Sequence, residues 1–268
     1  MNEVRLLRAS DVPAAMKLKE AAGWNQTEED WRRILELEPE GCFGIEREGR
    51  LVATATAICY GRELAWIGMV LTDPAFRGQG LASRLMRRTL EFLDVREVKC
   101  VKLDATDMGR GVYQKVGFVD ECPVERWVRA PGTVAPVALG LRGFDAPIDL
   151  RSFGADRSRL LARLAGGESA SIPGAGYAMA RPGSKAAYFG PCVTTSVQAA
   201  ESLVGWFVGR HADQLLYWDL LPDNRQAVSL AERFGFTRIR QLVRMARGEA
   251  CVAPDSQQVY AIAGFEFG

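Results

Sequence analysis

Residues 71–82 read Leu71-Thr72-Asp73-Pro74-Ala75-Phe76-Arg77-Gly78-Gln79-Gly80-Leu81-Ala82, and this stretch decides the fold. The apolar run at 65–71 is bounded by turn signals and predicts a buried strand. From Leu81 onward, apolar residues recur at helical spacing. Gly78 and Gly80 carry no side chain that would hold a ligand away from the backbone, and the first turn of a helix has amides without carbonyl partners. The stretch therefore predicts a phosphate-binding loop between a strand and a helix.

The loop has a spacing more specific than that of an ordinary glycine-rich turn. Arg77, Gly80 and Ala82 fit the pattern Arg/Gln-x-x-Gly-x-Gly/Ala, and an Asp-Pro pair follows the strand. With these residues the chain resembles the GNAT superfamily of acyl-CoA N-acyltransferases, in which this loop binds acetyl-CoA. An ordinary strand-to-helix turn is the alternative. A dinucleotide-binding fold is disfavoured, because the Gly-x-Gly-x-x-Gly spacing is absent.

Composition narrows the classes of protein to consider. A length of 268 residues is enough for two domains, and 48% hydrophobic with 25% charged residues is typical of a globular core. The net charge of +1 gives no general attraction to nucleic acid or to an anionic membrane. No apolar run approaches the roughly 20 residues that span a bilayer. We expect a cytoplasmic protein with neither a nucleic-acid nor a membrane partner.

The number and spacing of the histidines and cysteines do not predict a metal site. His211 is the only histidine and is expected at a helix end, so a histidine-rich metal centre is excluded. The cysteines contain no Cys-x-x-Cys pair and are predicted to be small buried apolar residues in a reducing compartment. These cysteines are Cys42, Cys59, Cys100, Cys122, Cys192 and Cys251.

The order of predicted elements extends the resemblance over residues 1–130. Strand, helix, helix, three strands, helix, strand, helix and strand follow one another, as in the GNAT fold. This order implies a mixed, mostly antiparallel central sheet flanked by helices. Residues 131–147 are rich in Pro and Gly and predict a linker.

Residues 148–268 repeat features of the first half. Each half has an aspartate at a predicted strand end, a later Gly-Phe pair, and an arginine at the same distance beyond the Phe. These residues are Asp104, Gly117-Phe118 and Arg126 in the first half, and Asp219, Gly235-Phe236 and Arg244 in the second. The repeat predicts an α/β (α+β) protein of tandem GNAT folds: a catalytic domain at 1–130, a linker at 131–147 and a degenerate GNAT-like domain at 148–268.

The second half lacks the residues expected of a catalyst. The segment set against the phosphate loop, 190–195, contains Pro191 and bulky residues, which offer no row of free amides. Ala231 stands where the first half has Tyr113. Phe153-Gly154-Ala155-Asp156-Arg157 is similar to a segment of two-module bacterial GNAT proteins. The second half is expected to form a wall of the acceptor cleft or a dimer interface, so a homodimer stays open.

The resemblance implies roles for several residues in acyl transfer. Tyr113 lies in a Tyr-x-x-x-Gly-Phe sequence and is expected to protonate the leaving thiolate, since a phenol with a pKa of about 10 keeps its proton at neutral pH. Backbone amides at Met69 and Val70 are expected to stabilise the oxyanion. The expected contacts to acetyl-CoA are Met69, Val70, Arg77, Gly78, Gln79, Gly80, Leu81 and Ala82.

The general base is the least defined part of the predicted site. An alkyl ammonium must lose a proton before it attacks, yet residues 64–72 contain no Asp, Glu or His. Asp104 is the nearest candidate, and Glu63, Asp73 and Asp30 are weaker ones. A chain of water molecules, or an acceptor amine of low pKa, would need no such residue.

These features predict an N-acetyltransferase that moves an acetyl group from acetyl-CoA to the primary amine of a small molecule, directly in a ternary complex and without metal. Trp24 and Asn25 are expected to contact the acceptor, because the corresponding loop of the superfamily lies over it. Two alternatives stay open. One is an acyl-CoA-binding regulatory or interaction module with reduced catalysis; the other is an acetyltransferase of protein lysines or N-termini.

Overall fold

The computed structural model describes residues 3–135, 137–249 and 255–268. In the first half the strands are β1 (Val4–Leu6), β2 (Cys42–Arg47), β3 (Arg50–Tyr60), β4 (Leu64–Thr72), β5 (Cys100–Ala105) and β6 (Val119–Arg129). The helices of that half are α1 (Val12–Ala21), α2 (Glu28–Leu37), α3 (Leu81–Val95) and α4 (Asp107–Gln114).

The second half repeats this alternation. Its strands are β7 (Glu168–Ile172), β8 (Gly176–Arg181), β9 (Ala187–Thr194), β10 (Leu216–Leu220), β11 (Thr237–Gly248) and β12 (Val259–Ala261). Its helices are α5 (Ala146–Phe153), α6 (Ser158–Ala165), α7 (Val197–Arg210) and α8 (Arg225–Arg233). No helix within the described ranges is long and apolar enough to cross a membrane.

Both halves contribute to one continuous sheet. The strand order is β1-β2-β3-β4-β5-β11-β6-β10-β9-β8-β7, and β12 pairs with β9. β4 with β5 and β9 with β10 are parallel pairs, and the other pairings are antiparallel. The predicted class, tandem units with a mixed and mostly antiparallel sheet flanked by helices, is confirmed.

The halves exchange strands at the centre of this sheet. β11 of the second half lies between β5 and β6, and β6 of the first half pairs with β10. Arg244 on β11 donates from Nε and Nη2 to Asp104 on β5 at 2.9 and 3.1 Å. Arg126 on β6 donates in the same way to Asp219 on β10 at 2.7 and 2.6 Å. The aspartates and arginines that repeat in the sequence therefore pair crosswise between the halves.

Helices cover the first half of the sheet on both faces. Leu85 of α3 and Tyr113 of α4 share an apolar core with Leu103 of β5. On the opposite face, Leu18 of α1 and α2 residues pack with Trp66 of β4 and with apolar side chains of the second half. Side chains alternate along a strand, so the sheet has two distinct faces. We call the face covered by α3 and α4 the cofactor-loop face, and the face covered by α1 and α2 the acceptor-loop face.

Several predictions about local structure need correction. α5 and β7 were not predicted. The segment 190–195 lies almost wholly within β9, not in a loop. His211 is the C-cap residue of α7, as expected. Cys100 is disulfide-bonded, so the expectation of reduced cysteines is wrong for it, and Cys251 lies outside the described residues.

Candidate active site

A cleft opens where the two central strands of the first half separate. β4 and β5 are paired only over Leu64–Trp66 on the β4 side. Beyond this pairing lies a cavity of about 1080 Å³, at the upper end of the range for ligand sites. The cavity is lined by the predicted loop, by the end of β4, by α4, and by residues of the second half.

The predicted phosphate loop forms one end of this cleft. Gly78 and Gly80 have φ values of 76° and 72°, which favour glycine, and a Cβ at either position would meet no atom within 4 Å. Gly80 is the N-cap of α3 and supplies no side-chain acceptor to the first-turn amides. Those amides are therefore available to an anion at the positive end of the helix dipole. Five of the predicted loop residues line the cleft: Arg77, Gly78, Gly80, Leu81 and Ala82. Gln79 was also predicted to contact the cofactor but does not line the cleft.

A β-bulge lies at the predicted oxyanion site. The pairing of β4 with β3 shifts register between Thr54 and Thr56, and Met69 has a φ of 48°, which is rare for a residue other than glycine. The buried hydroxyls of Thr54 and Thr56 donate to the carbonyls of Met69 and Gly68 at 2.8 and 3.1 Å. Backbone strain of this kind is concentrated at functional sites. Met69 and Val70 both line the cleft.

Tyr113 reaches the cleft from α4. A Cβ at Gly109 would lie 2.9 Å from its ring, so the glycine makes room for the phenol. The Tyr113 hydroxyl has no hydrogen bond to any residue that the structure describes. Burial raises the pKa of Tyr113 well above its ordinary value, so the hydroxyl keeps its proton at neutral pH.

Asp104, the base candidate from the sequence, lines the cleft but is held by Arg244. Its side chain is fully buried, and each oxygen accepts one of the two Arg244 hydrogen bonds. Burial raises the pKa of Asp104, while the Arg244 charge opposes that rise. The weaker candidates do not line the cleft and have partners of their own: Glu63 binds Lys99 and Asp73 accepts from the amide of Ala75. Asp30 binds the side chains of Arg33 and Arg181.

Trp24 and Asn25 lie in different places despite being neighbours. Trp24 is half-buried and lines the cleft. Asn25 is buried and faces the second half, where its Nδ2 donates to the carbonyl of Ala186 at 3.1 Å and its Oδ1 accepts from the amides of Lys185 and Ala186 at 2.9 and 3.0 Å. Asn25 thus joins the α1–α2 loop to the second half and is not among the residues around the cleft.

A segment that the sequence does not reveal as part of the site enters the cleft from the C-terminal side. After β12, residues 262–268 run across the acceptor-loop face of the first half. A Cβ at Gly68 would lie 2.8 Å from the Cα of Glu266, and the indole of Trp66 donates to the carbonyl of Phe265 at 3.0 Å. The one local signal for this contact is the glycine inside β4, which is typical of a close backbone approach.

Glu266 brings a buried carboxylate into the site. Its Oε2 accepts from Gln26 Nε2 at 2.7 Å and its Oε1 accepts from Arg181 Nη2 at 2.9 Å. The side chain is only 3% exposed, yet both Glu266 and Gln26 line the cleft. Burial raises the pKa of Glu266, and the neighbouring Arg181 charge opposes the rise.

Arg157, in the segment similar to two-module GNAT proteins, anchors the end of this C-terminal segment. The guanidinium is fully buried, binds Asp149 at 2.9 Å, and donates from Nη1 to the carbonyl of Gly268 at 2.9 Å. It also lies 3.9 Å from the centre of the Phe153 ring, a cation–π contact. Phe153 and Arg157 therefore help to hold the segment that carries Glu266.

Family comparisons agree with this architecture. The model of the acetyltransferase (GNAT) family matches residues 12–118, and the model of the acetyltransferase (GNAT) domain matches residues 146–261. The chain therefore belongs to the GNAT superfamily of acyl-CoA N-acyltransferases and contains two GNAT domains.

Individual relatives are distant. The uncharacterized N-acetyltransferase YitH of Bacillus subtilis is 25% identical in an alignment 228 residues long, and the alignment covers 76% of this chain and 77% of YitH. The uncharacterized N-acetyltransferase MJ1207 of Methanocaldococcus jannaschii is 27% identical in an alignment 105 residues long. That alignment covers 36% of this chain and less than half, 46%, of MJ1207.

Solved structures show that the fold extends over the whole chain. A proposed acetyltransferase from Pyrococcus horikoshii has a TM-score of 0.81 at 22% identity, with 99% of this chain and 95% of that chain covered. A GCN5-related N-acetyltransferase from Sphaerobacter thermophilus has a TM-score of 0.66 at 16% identity, with 94% and 98% covered.

Proposed function

We propose that the protein transfers an acetyl group from acetyl-CoA to the primary amine of a small molecule, directly in a ternary complex. The observation that carries this proposal is a single cleft lined by three features. These are the open amides of α3, the strained bulge of β4 and the Tyr113 hydroxyl. Acyl transfer needs these parts together: a cradle for the pyrophosphate, donors for the oxyanion and an acid for the thiolate.

Each group has a defined task in this reaction. The amides of the loop at 77–82 hold the pyrophosphate, and the amides at Met69 and Val70 donate to the thioester oxygen as it gains negative charge. The amine nitrogen forms the new bond to the carbonyl carbon, and the carbon–sulfur bond breaks. Tyr113 donates its proton to the departing sulfur, which yields CoA as a thiol.

The base in this proposal is Glu266 and not Asp104. Asp104 is bound through both oxygens to one guanidinium, that of Arg244, whereas Glu266 binds a charged partner, Arg181, through one oxygen only, and its other oxygen accepts from the uncharged amide of Gln26. Burial raises the pKa of Glu266, as it does that of Asp104, so this shift suits either carboxylate to take a proton near neutral pH and the difference in bound partners decides between them.

The walls of the acceptor side favour a small molecule. Trp24 and Gln26 of the first half face the cleft together with Phe265 and Glu266 of the second half. A pocket bounded by both halves suits a compact amine better than an extended polypeptide.

The test combines acetyl-CoA binding by calorimetry with CoA thiol release from a panel of amines. Tyr113→Phe should lower kcat by about 100-fold and leave the acetyl-CoA affinity unchanged, because the proton donor acts only in the chemical step. Tyr260→Phe removes a hydroxyl from the second half and serves as the control. Absence of acetyl-CoA binding would overturn the proposal. Binding without thiol release from any amine would identify a binding module in its place.

A further inference from the structure

Arg240 lies on the acceptor-loop face of the cleft. In β11 the side chains of residues 240 and 244 share a face, because they are an even number of residues apart along a regularly paired segment. Arg244 stacks on Trp66 at 4.5 Å, and Trp66 packs with α1 and α2. Met245 points to the opposite face and packs with α3 and Tyr113. The start of α3, where the phosphate groups are proposed to bind, is therefore on the other side of the sheet from Arg240.

Arg240 has no acidic partner. Within the part of the chain that the structure describes, no carboxylate lies within ion-pair distance of its guanidinium, and no hydrogen bond engages it. The side chain is half-buried in the cleft. Burial and the neighbouring charge of Arg126 lower the pKa of Arg240. A half-buried cation beside another cation is unfavourable unless an anion joins it.

Arg126 is directly opposite Arg240 on β6 and also lines the cleft. Its Nε and Nη2 are bound to Asp219, and its guanidinium lies between the rings of Tyr217 and Phe265 at 4.8 and 4.6 Å. Nη1 of Arg126 donates to no described residue. Asp219 is thus bound to Arg126 and orients it, whereas Arg240 feels the charges of Asp219 and Asp107 only at longer range.

We propose that Arg240, together with Nη1 of Arg126, binds a carboxylate of the acceptor, so that the acceptor is an amino acid or another amine that carries a carboxylate. The inference rests on the proposed function, because it assigns the acceptor of that same reaction. Planar guanidinium groups suit carboxylates in geometry as well as charge. The acceptor would then lie with its amine toward Glu266 and the thioester, and its carboxylate toward β11.

Matched pairs of acceptors test this proposal. Thiol release is measured with glycine, β-alanine and 4-aminobutyrate, each against its carboxamide, and with O-phosphoethanolamine. The acid of at least one pair should have a kcat/KM about 10- to 100-fold above that of its amide, as expected for charge-assisted hydrogen bonds. Arg240→Ala should remove this preference, because it should raise KM for the acid more than KM for the amide. Arg240→Lys should restore part of it.

Arg238→Ala is the matched control. It removes one positive charge from the same strand, but Arg238 is paired with Glu125 at 2.7 Å and does not line the cleft. The preference for the acid should survive this change. Equal rates for acids and amides, or an equal loss on both in Arg240→Ala, would overturn the proposal. A preference for O-phosphoethanolamine over every amino acid would overturn the carboxylate assignment.

A calorimetric titration tests the carboxylate site independently of whether the protein catalyses acetyl transfer. If no amine releases thiol, the proposed function fails, and the same amino acids are titrated into the protein saturated with CoA. Binding that is weakened about tenfold or more in Arg240→Ala, and not in Arg238→Ala, would support the carboxylate site. Absence of binding by all three amino acids would overturn it.

Discussion

The two halves differ most where a buried strand leads into a helix. In the first half, β4 and α3 are joined by residues 73–80, and the N-cap Gly80 offers no side-chain acceptor. In the second half, β9 and α7 are joined by residues 195–196, and the N-cap Ser196 accepts from the amide of Ala199 at 3.3 Å. The first-turn amides of α3 are therefore free of a side-chain cap and available to an anion, whereas the first turn of α7 is capped by the Ser196 side chain.

The corresponding helix start of the second half, that of α7, is capped, yet residues of the second half still line the cleft. β11 places Arg240 in the cleft, and the segment after β12 places Glu266 there, while the exchanged strands tie both halves into one sheet. The comparison indicates a division of labour. In the proposed function, the first half provides the cofactor cradle and the second half provides charged groups on the acceptor side.

The largest effect is expected in the loop of residues 73–80, which joins β4 to α3 in the first half. Gly80→Asp should weaken acetyl-CoA binding by more than about 100-fold, because it sets a carboxylate where the pyrophosphate belongs. Gly49→Asp is the matched control, since Gly49 has the same φ of 72° and open space around it, but lies in the β2–β3 turn. Calorimetry should show unchanged affinity for that control. Similar losses in both variants would mean that strain, and not the ligand site, explains the effect.

Variants of the two crosswise ion pairs, Asp104–Arg244 and Asp219–Arg126, test whether each pair contributes equally to the stability of the protein. Asp104→Asn and Asp219→Asn each leave a buried arginine without its counter-charge, so each should lower the free energy of unfolding by about 3–5 kcal/mol. Denaturant titration measures the loss. At a temperature where both variants are folded, Asp104→Asn should keep its kcat. A fall in kcat confined to Asp104→Asn would return the base role to Asp104.

Glu266→Gln tests the contribution of the second half to chemistry. We expect kcat/KM to fall by about 100-fold at neutral pH. Burial raises the pKa of Glu266, so its carboxylate takes up a proton at a higher pH than an exposed glutamate, whose pKa is about 4.3. Wild-type activity should therefore decline as the pH falls through this raised pKa, and the variant should lack that decline. An identical pH profile in the two proteins would exclude Glu266 as the base.

The smallest effect is expected at the capped helix. Ser196→Ala removes the side-chain acceptor of α7 and should lower the free energy of unfolding by about 1 kcal/mol. The affinity for acetyl-CoA should not change, because this helix end is outside the cleft. A change in affinity would show that the second half binds cofactor after all.

Local patterns predicted the elements whose signals are contiguous. The β4–loop–α3 unit was identified because apolar periodicity and glycine positions lie within a few residues of one another. α5 was missed because Pro147 was taken as a linker signal, although proline is favourable in the first turn of a helix. β7 was missed because Ser and Glu weaken its apolar pattern.

By itself the sequence predicted the residues that line one end of the cleft, the proposed cofactor end. Gly78, Gly80 and Tyr113 act through backbone conformation and short-range spacing, and such features are written in consecutive residues. Only the tertiary structure decided the acceptor end, where Arg240 and Glu266 come from strand exchange and from a returning C-terminal segment. Contacts between residues far apart in the chain depend on how the sheet closes, and that leaves little local trace beyond a glycine that admits another backbone.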